Sequence, residues 1–162
     1  MDESARILVV DDDQGIRRSL KNLLEHEGYV VDTAETGEEA IQKTETNYYN
    51  LALLDIRLPD MAGTILLNAL EDTTPKMIKI VITGYPSLEN AVEAVNQGAD
   101  GYIKKPFDPP NLLHKIREQL QRQQEARKYS EDRVADYIES RVRELKKEKA
   151  DQDNPQYLEF IL

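Results

Sequence analysis

The sequence contains no cysteine and no long apolar run. Without cysteine, the chain has no disulfide framework, no thiolate chemistry and no cysteine-based zinc site. The longest uninterrupted aliphatic stretches are four residues, at 7–10 and at 51–54. Because neither stretch is long enough for a bilayer span or for the apolar region of a signal peptide, we expect a cytoplasmic protein without membrane contact.

Positive charge is also scarce, since 21 Lys and Arg residues stand against 31 Asp and Glu residues, for a net charge of −10. This balance argues against direct binding of DNA, because contacts to phosphate depend on a positive surface. The hydrophobic fraction of 40% in 162 residues fits one soluble domain with an appendage. Most of the negative charge lies in residues 1–120, which carry a net −9, against −1 in residues 121–162.

Glycine and proline divide the chain at about the same place. All seven Gly residues and six of the seven Pro residues precede Asn111. Because these residues punctuate short elements in compact folds, their absence from residues 121–150 favours helical structure there. We therefore predict a compact domain over 1–120, a charged amphipathic helical extension over 121–150 and a tail over 151–162.

Within residues 1–120, short apolar segments alternate with amphipathic segments of helical period. Three of the apolar segments are almost entirely aliphatic, which is typical of parallel strands covered on both faces. Gly28 and Gly98 follow two of the helix candidates, in the position where helices commonly end. The alternation predicts an α/β fold with a doubly wound, five-stranded parallel sheet. The strand candidates are Arg6–Val10, Tyr29–Thr33, Leu51–Leu54, Met77–Ile82 and Gly101–Lys104.

Polar side chains follow four of these strand candidates, where a doubly wound sheet carries its functional site. They are Asp11, Asp12, Asp13, Asp55, Thr83 and Lys105. Two carboxylates about 4 Å apart repel by roughly 4 kcal/mol at an effective dielectric near 20, so a cation is needed among them. Mg²⁺ fits, because it binds through one or two carboxylates and keeps sites for water and phosphate.

A lysine and a hydroxyl opposite such a cation suit the remaining oxygens of a phosphoryl group. The constellation therefore predicts phosphoryl transfer to a carboxylate nucleophile. We expect Asp13 to cap the following helix. A dinucleotide site would need a glycine-rich first loop whose amides face the phosphates, and three aspartates in that position exclude it, while a P-loop is absent from the sequence.

Four segments of the chain resemble the receiver domain of response regulators, the phosphoaccepting proteins of two-component signal transduction. The resemblance covers about residues 5–120, with the motifs in the family's order and spacing. It implies a flavodoxin-like sheet of order 2-1-3-4-5. The segments are Ile7–Asp13, Leu54–Asp60, Val81–Gly84 and Gly101–Phe107.

The resemblance also implies roles for single residues. Asp55 matches the phosphoacceptor, which receives its phosphoryl group from a sensor histidine kinase. Asp12 matches the residue that binds Mg²⁺ directly, with Asp11 acting through water. The backbone carbonyl of Arg57 matches the group that completes the metal shell. Lys105, before an expected cis proline bond, matches the lysine that pairs with the phosphoryl oxygen.

Two further roles follow from the same resemblance. Thr83 and Tyr102 match the pair whose side chains shift on phosphorylation, which changes protein–protein contacts. Arg57 and Tyr85 match the positions that tune the lifetime of the phosphoryl group. The chemistry is limited to self-catalysed phosphorylation and dephosphorylation, so we expect a signalling domain and not an enzyme with a separate substrate.

The extension has its own apolar stripe, at Val134, Ile138, Val142 and Leu145. Ser130 could cap a second helix, so the segment either continues the last receiver helix or breaks there. A narrow apolar stripe favours pairing with a second copy or docking to a partner protein. The sequence shows no recognisable effector domain, and it leaves two alternatives open: a transcription regulator or an oligomerisation adaptor that acts through this helix.

Overall fold

The computed structural model describes residues 4–70, 73, 76–84 and 87–153. Five strands and five helices alternate along this part of the chain. The strands are β1 (Arg6–Val10), β2 (Val30–Ala34), β3 (Leu51–Asp55), β4 (Ile78–Thr83) and β5 (Gly101–Lys104). The helices are α1 (Gln14–His26), α2 (Gly37–Thr46), α3 (Gly63–Ala69), α4 (Leu88–Asn96) and α5 (Pro109–Gln152).

The strands form one parallel sheet of order β2-β1-β3-β4-β5, which confirms the predicted fold class. The chain first adds β2 to one side of β1 and then crosses to add β3 on the other side. Val10 at the end of β1 pairs with Leu54, and Asp55 at the end of β3 pairs with Ile82. The carboxyl ends of the central strands therefore meet at the crevice where the strand order reverses.

Two apolar layers, one on each face of the sheet, hold the domain together. Side chains alternate between the faces along a strand, so Ile7 and Val9 enter one layer, whereas Leu8 and Val10 enter the other. Leu24 and Ile116 complete the first layer from α1 and α5. Because helices cover both faces, almost every residue of β1 and β3 is buried, which explains their aliphatic composition.

The helix ends follow the sequence signals. The Asp13 carboxylate accepts a hydrogen bond from the Ile16 N–H at 3.0 Å, which confirms its capping role at α1. Gly28 and Gly98 have φ angles of 94° and 98°, the left-handed conformation that glycine adopts most easily. Tyr29 donates its N–H to the Leu24 carbonyl at 3.2 Å, so β2 begins one residue later than predicted.

By its contacts the chain divides into two units, residues 1–123 and residues 124–162. In the first unit, α5 buries Leu112 and Ile116, and the Gln123 side-chain amide donates hydrogen bonds to the carbonyls of Asn50 and Lys76 at 3.0 and 2.8 Å. The second unit is helical to Gln152, with no break at Ser130. Among the described residues, no helix has the length and apolar character needed to cross a membrane.

Candidate functional site

Three aspartates meet at the crevice between β1 and β3. Asp11 and Asp12 follow β1 directly, and Asp55 is the last residue of β3. One carboxylate oxygen from each lies within 4.8 Å of the others. Asp11 and Asp55 are buried, with 3% and 7% of their surface exposed, whereas Asp12 faces solvent. The structure thus gathers the three predicted metal-binding carboxylates around one point that is open on the Asp12 side.

The side chain of Lys105 reaches the two buried carboxylates. Its Nζ lies 2.7 Å from Oδ2 of Asp11 and 3.2 Å from Oδ2 of Asp55. The Lys105 backbone N–H donates to the carbonyl oxygen of Thr83 at 2.7 Å, and the Lys105–Pro106 bond is cis, as the resemblance implies. This backbone hydrogen bond holds the loop after β5 against the end of β4. From that loop the Lys105 ammonium group extends to the aspartates.

Burial and charge act in opposite directions on this ionic cluster. Desolvation raises the pKa of Asp11, and the hydrogen bond from Lys105 opposes that rise only in part. For Lys105, burial would lower the pKa, but the hydrogen bonds and charges of Asp11 and Asp55 outweigh it and raise the pKa instead. Positive charge beside the two buried carboxylates therefore helps to keep them ionised.

Local hydrogen bonds fix the position of Asp11. The Asp13 N–H donates to Oδ1 of Asp11 at 2.9 Å, which orients the carboxylate. Arg17, one turn into α1, donates through Nη1 to the Asp11 carbonyl oxygen at 2.7 Å. Sequence reasoning gave Arg17 no role, because a positive charge at the start of a helix is an unfavourable match to the helix dipole and carries no signal for such a contact.

The loop between β3 and α3 closes against Asp55. The Arg57 N–H donates to Oδ1 of Asp55 at 3.3 Å, and Arg57 forms an isolated antiparallel bridge with Ala62. The Gly63 N–H donates to the Ile56 carbonyl at 2.7 Å. These contacts give the loop a defined shape and leave the Arg57 side chain exposed at the edge of the site.

Asp60 connects this loop to α2. Its two carboxylate oxygens accept the backbone N–H groups of Gly37 and Glu38, each at 2.9 Å. These hydrogen bonds, led by the one from Glu38, lower the pKa of Asp60. Sequence reasoning assigned Asp60 no role, since its partners lie 22 and 23 residues earlier and only the fold brings them together.

The predicted switch pair lies on β4 and β5, the two strands that follow β3 in the sheet. Thr83 ends β4 and is fully buried. Tyr102 packs its ring against the apolar layer that contains Leu54, and its buried hydroxyl has no hydrogen-bond partner among the described residues. Tyr85, the second predicted lifetime position, lies outside the described residues. The structure therefore brings Asp11, Asp12, Asp55 and Lys105 into one cluster, with Thr83 at the end of the neighbouring strand.

Replacement of Gly63 by alanine is expected to displace the loop that follows Asp55. A Cβ at this position would lie 2.5 Å from the Asp55 carbonyl oxygen and 2.6 Å from the Ile56 Cα, and backbone atoms cannot yield as a flexible side chain can. We expect Gly63→Ala to lower the free energy of unfolding by about 1–3 kcal/mol, as overpacking does. Denaturant unfolding measures this loss.

Gly101→Ala is the matched control, because its Cβ would meet Ile80 only at ordinary contact distances, 3.4 Å or more. Its free energy of unfolding should stay close to that of the unmodified protein. Equal stability of the two alanine variants would contradict the close packing of the loop.

The donor set fits a hard divalent cation. Asp11, Asp12 and Asp55 offer only carboxylate oxygens, and the Arg57 carbonyl follows in the same loop. Cysteine is absent from the chain, and the two histidines, His26 and His114, lie exposed on α1 and α5. Oxygen ligands with an open, solvent-facing side favour Mg²⁺ over the transition metals that select imidazole or thiolate.

Comparison with known proteins matches most of the chain to one protein family. The sequence profile described as "Response regulator receiver domain" matches residues 7–117. A curated relative, "Response regulator ArlR" of Staphylococcus aureus, is 38% identical over 118 residues. That match covers 73% of this chain and 53% of the relative, so the chain spans about half the length of the curated relatives it matches.

Solved structures share the fold and about a third to a half of the aligned residues. The CheY-like receiver domain protein of Methanospirillum hungatei JF-1 is 51% identical with a TM-score of 0.73, and the match covers 76% of this chain and 99% of that one. The beryllofluoride-activated NtrC4 receiver domain dimer is 36% identical, with a TM-score of 0.68 over 73% of this chain and 98% of that one. A Burkholderia pseudomallei response regulator with a phosphorylated aspartic acid and a calcium ion is 33% identical, with a TM-score of 0.64. The match covers 68% of this chain and 65% of that one.

Proposed function

Since the chain belongs to the response regulator receiver domain family, we propose that Asp55 accepts a phosphoryl group from a sensor histidine kinase. A carboxylate oxygen of Asp55 attacks the phosphorus of the kinase's phosphohistidine. The new P–O bond forms as the P–N bond breaks, and the imidazole takes up a proton. The observation that carries this proposal is the placement of Asp55 at the end of β3, beside Asp11, Asp12 and Lys105.

Asp11, Asp12, Asp55 and the Arg57 carbonyl would hold Mg²⁺ in this site, with Asp11 acting through water. A bound Mg²⁺ supplies charge neutralisation for the incoming phosphoryl oxygens. In its absence, the Lys105 ammonium contacts both buried carboxylates and neutralises one of their two negative charges. After transfer, the same ammonium lies within reach of a phosphoryl oxygen on Asp55, because it already contacts the carboxylate that becomes phosphorylated.

Thr83 and Tyr102 convert the new phosphoryl group into a change in protein contacts. Thr83 is buried one residue beyond Ile82, the partner of Asp55 in the sheet, and this neighbouring position supports contact between its hydroxyl and a phosphoryl oxygen. The Tyr102 hydroxyl is buried without a partner among the described residues, and such a group costs about 1–3 kcal/mol. No hydrogen bond among the described residues fixes this hydroxyl, which suits a side chain that exchanges between two positions.

Arg57 takes part in setting how long the phosphoryl group persists. Its backbone N–H contacts Asp55, while its side chain lies exposed at the edge of the site. In that place the side chain borders the path by which a hydrolytic water approaches the acyl phosphate. Tyr85 is proposed for the same role on the strength of the family resemblance.

Removal of divalent ions is expected to stop phosphorylation. We would incubate the protein with radiolabelled acetyl phosphate, with Mg²⁺ or with excess EDTA, and count the acid-precipitated label. Label should appear only with Mg²⁺, and neutral hydroxylamine should release it, since an acyl phosphate is cleaved by this nucleophile. Equal labelling in EDTA, or label that resists hydroxylamine, would refute the metal-dependent aspartyl phosphate.

A further inference from the structure

The second unit of the chain has an exposed apolar seam on α5. Ile138, Val142 and Leu145 are 55%, 43% and 48% exposed, and Ala135 lies exposed one turn before them. The four positions are separated by three, four and three residues, the spacing of the a and d positions of a heptad repeat. On a straight helix they form a single narrow stripe, and a stripe of this kind is stable only when another surface covers it.

Charged residues of opposite sign end this seam. Glu131 precedes Ala135 by four residues, and Lys149 follows Leu145 by four residues, so both continue the same heptad pattern. Both side chains are exposed. The seam therefore has a negative residue at its amino end and a positive residue at its carboxyl end.

The two halves of the helix around the seam carry charge of the same opposite signs. Residues 131–139 contain four acidic side chains and one basic one, a net charge of −3. Residues 141–149 contain five basic side chains and two acidic ones, a net charge of +3. The sign changes at residue 140, which is also the midpoint between Glu131 and Lys149. Such a helix is complementary to a copy of itself only when the copy runs in the opposite direction.

We propose that this seam binds the same seam of a second copy of the chain, with the two helices antiparallel. Pairing about residue 140 places each Ile138 against Val142 of the second copy and each Ala135 against Leu145 of the second copy. Glu131 and Lys149 then form an ion pair at each end. The −3 half of each helix faces the +3 half of the other.

A parallel pairing has the opposite electrostatics. It would place Glu131 against Glu131 and Lys149 against Lys149, and it would align the two acidic halves with each other. Like charges at seam and flanking positions disfavour a pairing, so the charge pattern selects against this arrangement. The apolar part of the seam is under two heptads long, so we expect a weak, reversible dimer.

The chain has no native cysteine, so introduced thiols report the orientation directly. We would prepare Ala135→Cys, Leu145→Cys and the double variant in the full chain and oxidise each at equal concentration. Positions 135 and 145 meet across an antiparallel pair, whereas the two copies of either single position lie about 15 Å apart along the axis. A disulfide needs Cα atoms no more than about 7 Å apart.

Only the double variant should therefore give a disulfide-linked dimer on a non-reducing gel. Cross-linking of both single variants would show a parallel pair and overturn the proposal. No cross-linking in any variant would overturn it as well, and would leave a different protein as the occupant of the seam.

Charge reversal tests the same geometry without thiols. Glu131→Lys or Lys149→Glu alone places like charges at both ends of an antiparallel seam, and we expect about tenfold weaker association by sedimentation equilibrium, from the loss of two exposed ion pairs and the new repulsion. The double reversal restores both pairs and should recover the original affinity. Failure of the double variant to recover, or a monomeric unmodified chain at every concentration, would contradict the proposal while leaving phosphorylation of Asp55 unaffected.

Discussion

Asp55→Asn should take up no label from acetyl phosphate, a loss of more than about a hundredfold, because an amide oxygen does not serve as the nucleophile in phosphoryl transfer. The substitution preserves shape, and it removes one of the two buried carboxylates that contact Lys105. The variant should therefore fold and unfold cooperatively, so that the loss of label reports chemistry and not unfolding. Label incorporation and a denaturant curve on the same preparation provide the measurement.

Asp13→Asn is the matched control for this experiment. Asp13 belongs to the same run of three aspartates, but its carboxylate caps α1 through the Ile16 N–H. Asparagine is as good as aspartate at a helix N-cap, so both stability and labelling should be preserved. If Asp55→Asn were labelled as fully as Asp13→Asn, the phosphoacceptor would have to be sought elsewhere.

Lys105→Met should lower the free energy of unfolding of the metal-free protein by about 3 kcal/mol, the cost of leaving a buried ionic partner uncompensated. Lys105 is 2.7 Å from Asp11 and 3.2 Å from Asp55, and both carboxylates are more than nine-tenths buried. Without the ammonium group, the backbone N–H groups of Asp13 and Arg57 are left to oppose the burial and mutual repulsion of the two carboxylates. Denaturant unfolding in EDTA at neutral pH measures the loss.

Added Mg²⁺ should recover much of that stability, because a divalent cation neutralises the same carboxylates. Lys104→Met is the control, since Lys104 is adjacent in sequence but exposed, and surface changes of this kind stay within about 0.5 kcal/mol. Equal stability of the two methionine variants in EDTA would show that the ion pairs contribute little. A loss that Mg²⁺ does not reverse would point to packing of the lysine stem instead.

The sheet was predictable because its strands are short and apolar and because glycine marks the helix ends. The ends of the strands were less predictable. The apolar pattern places Tyr29 in β2, whereas its N–H donates to the carbonyl of Leu24 in the last turn of α1. Lys79 shows what an apolar pattern does not reveal. It is the second residue of β4 and has 4% of its surface exposed, and its ammonium donates to the carbonyls of Leu67 and Leu70 near the end of α3.

The candidate site was predictable to a similar degree. The rule that polar residues after parallel strands converge at one edge correctly brought Asp11, Asp12, Asp55 and Lys105 together. It could not assign Asp60, because nothing local distinguishes a turn aspartate from one that binds the first amides of a distant helix. The sequence could not decide between one helix and two in the extension for a comparable reason. Ser130 is a good helix cap in isolation, but its neighbours are also good helix formers, and α5 continues through it.

The two aspartates that cap helices beside the crevice also bear on where a phosphate can settle. The first turn of a helix exposes amide groups that attract anions, and α1 and α2 each begin after the carboxyl end of a strand, at the same edge of the sheet as the aspartates. Asp13 already fills the first of these ends and Asp60 the second. An arriving phosphate dianion is therefore turned away from both helix ends by resident carboxylates. Lys105, which already contacts Asp11 and Asp55, offers it positive charge within the crevice.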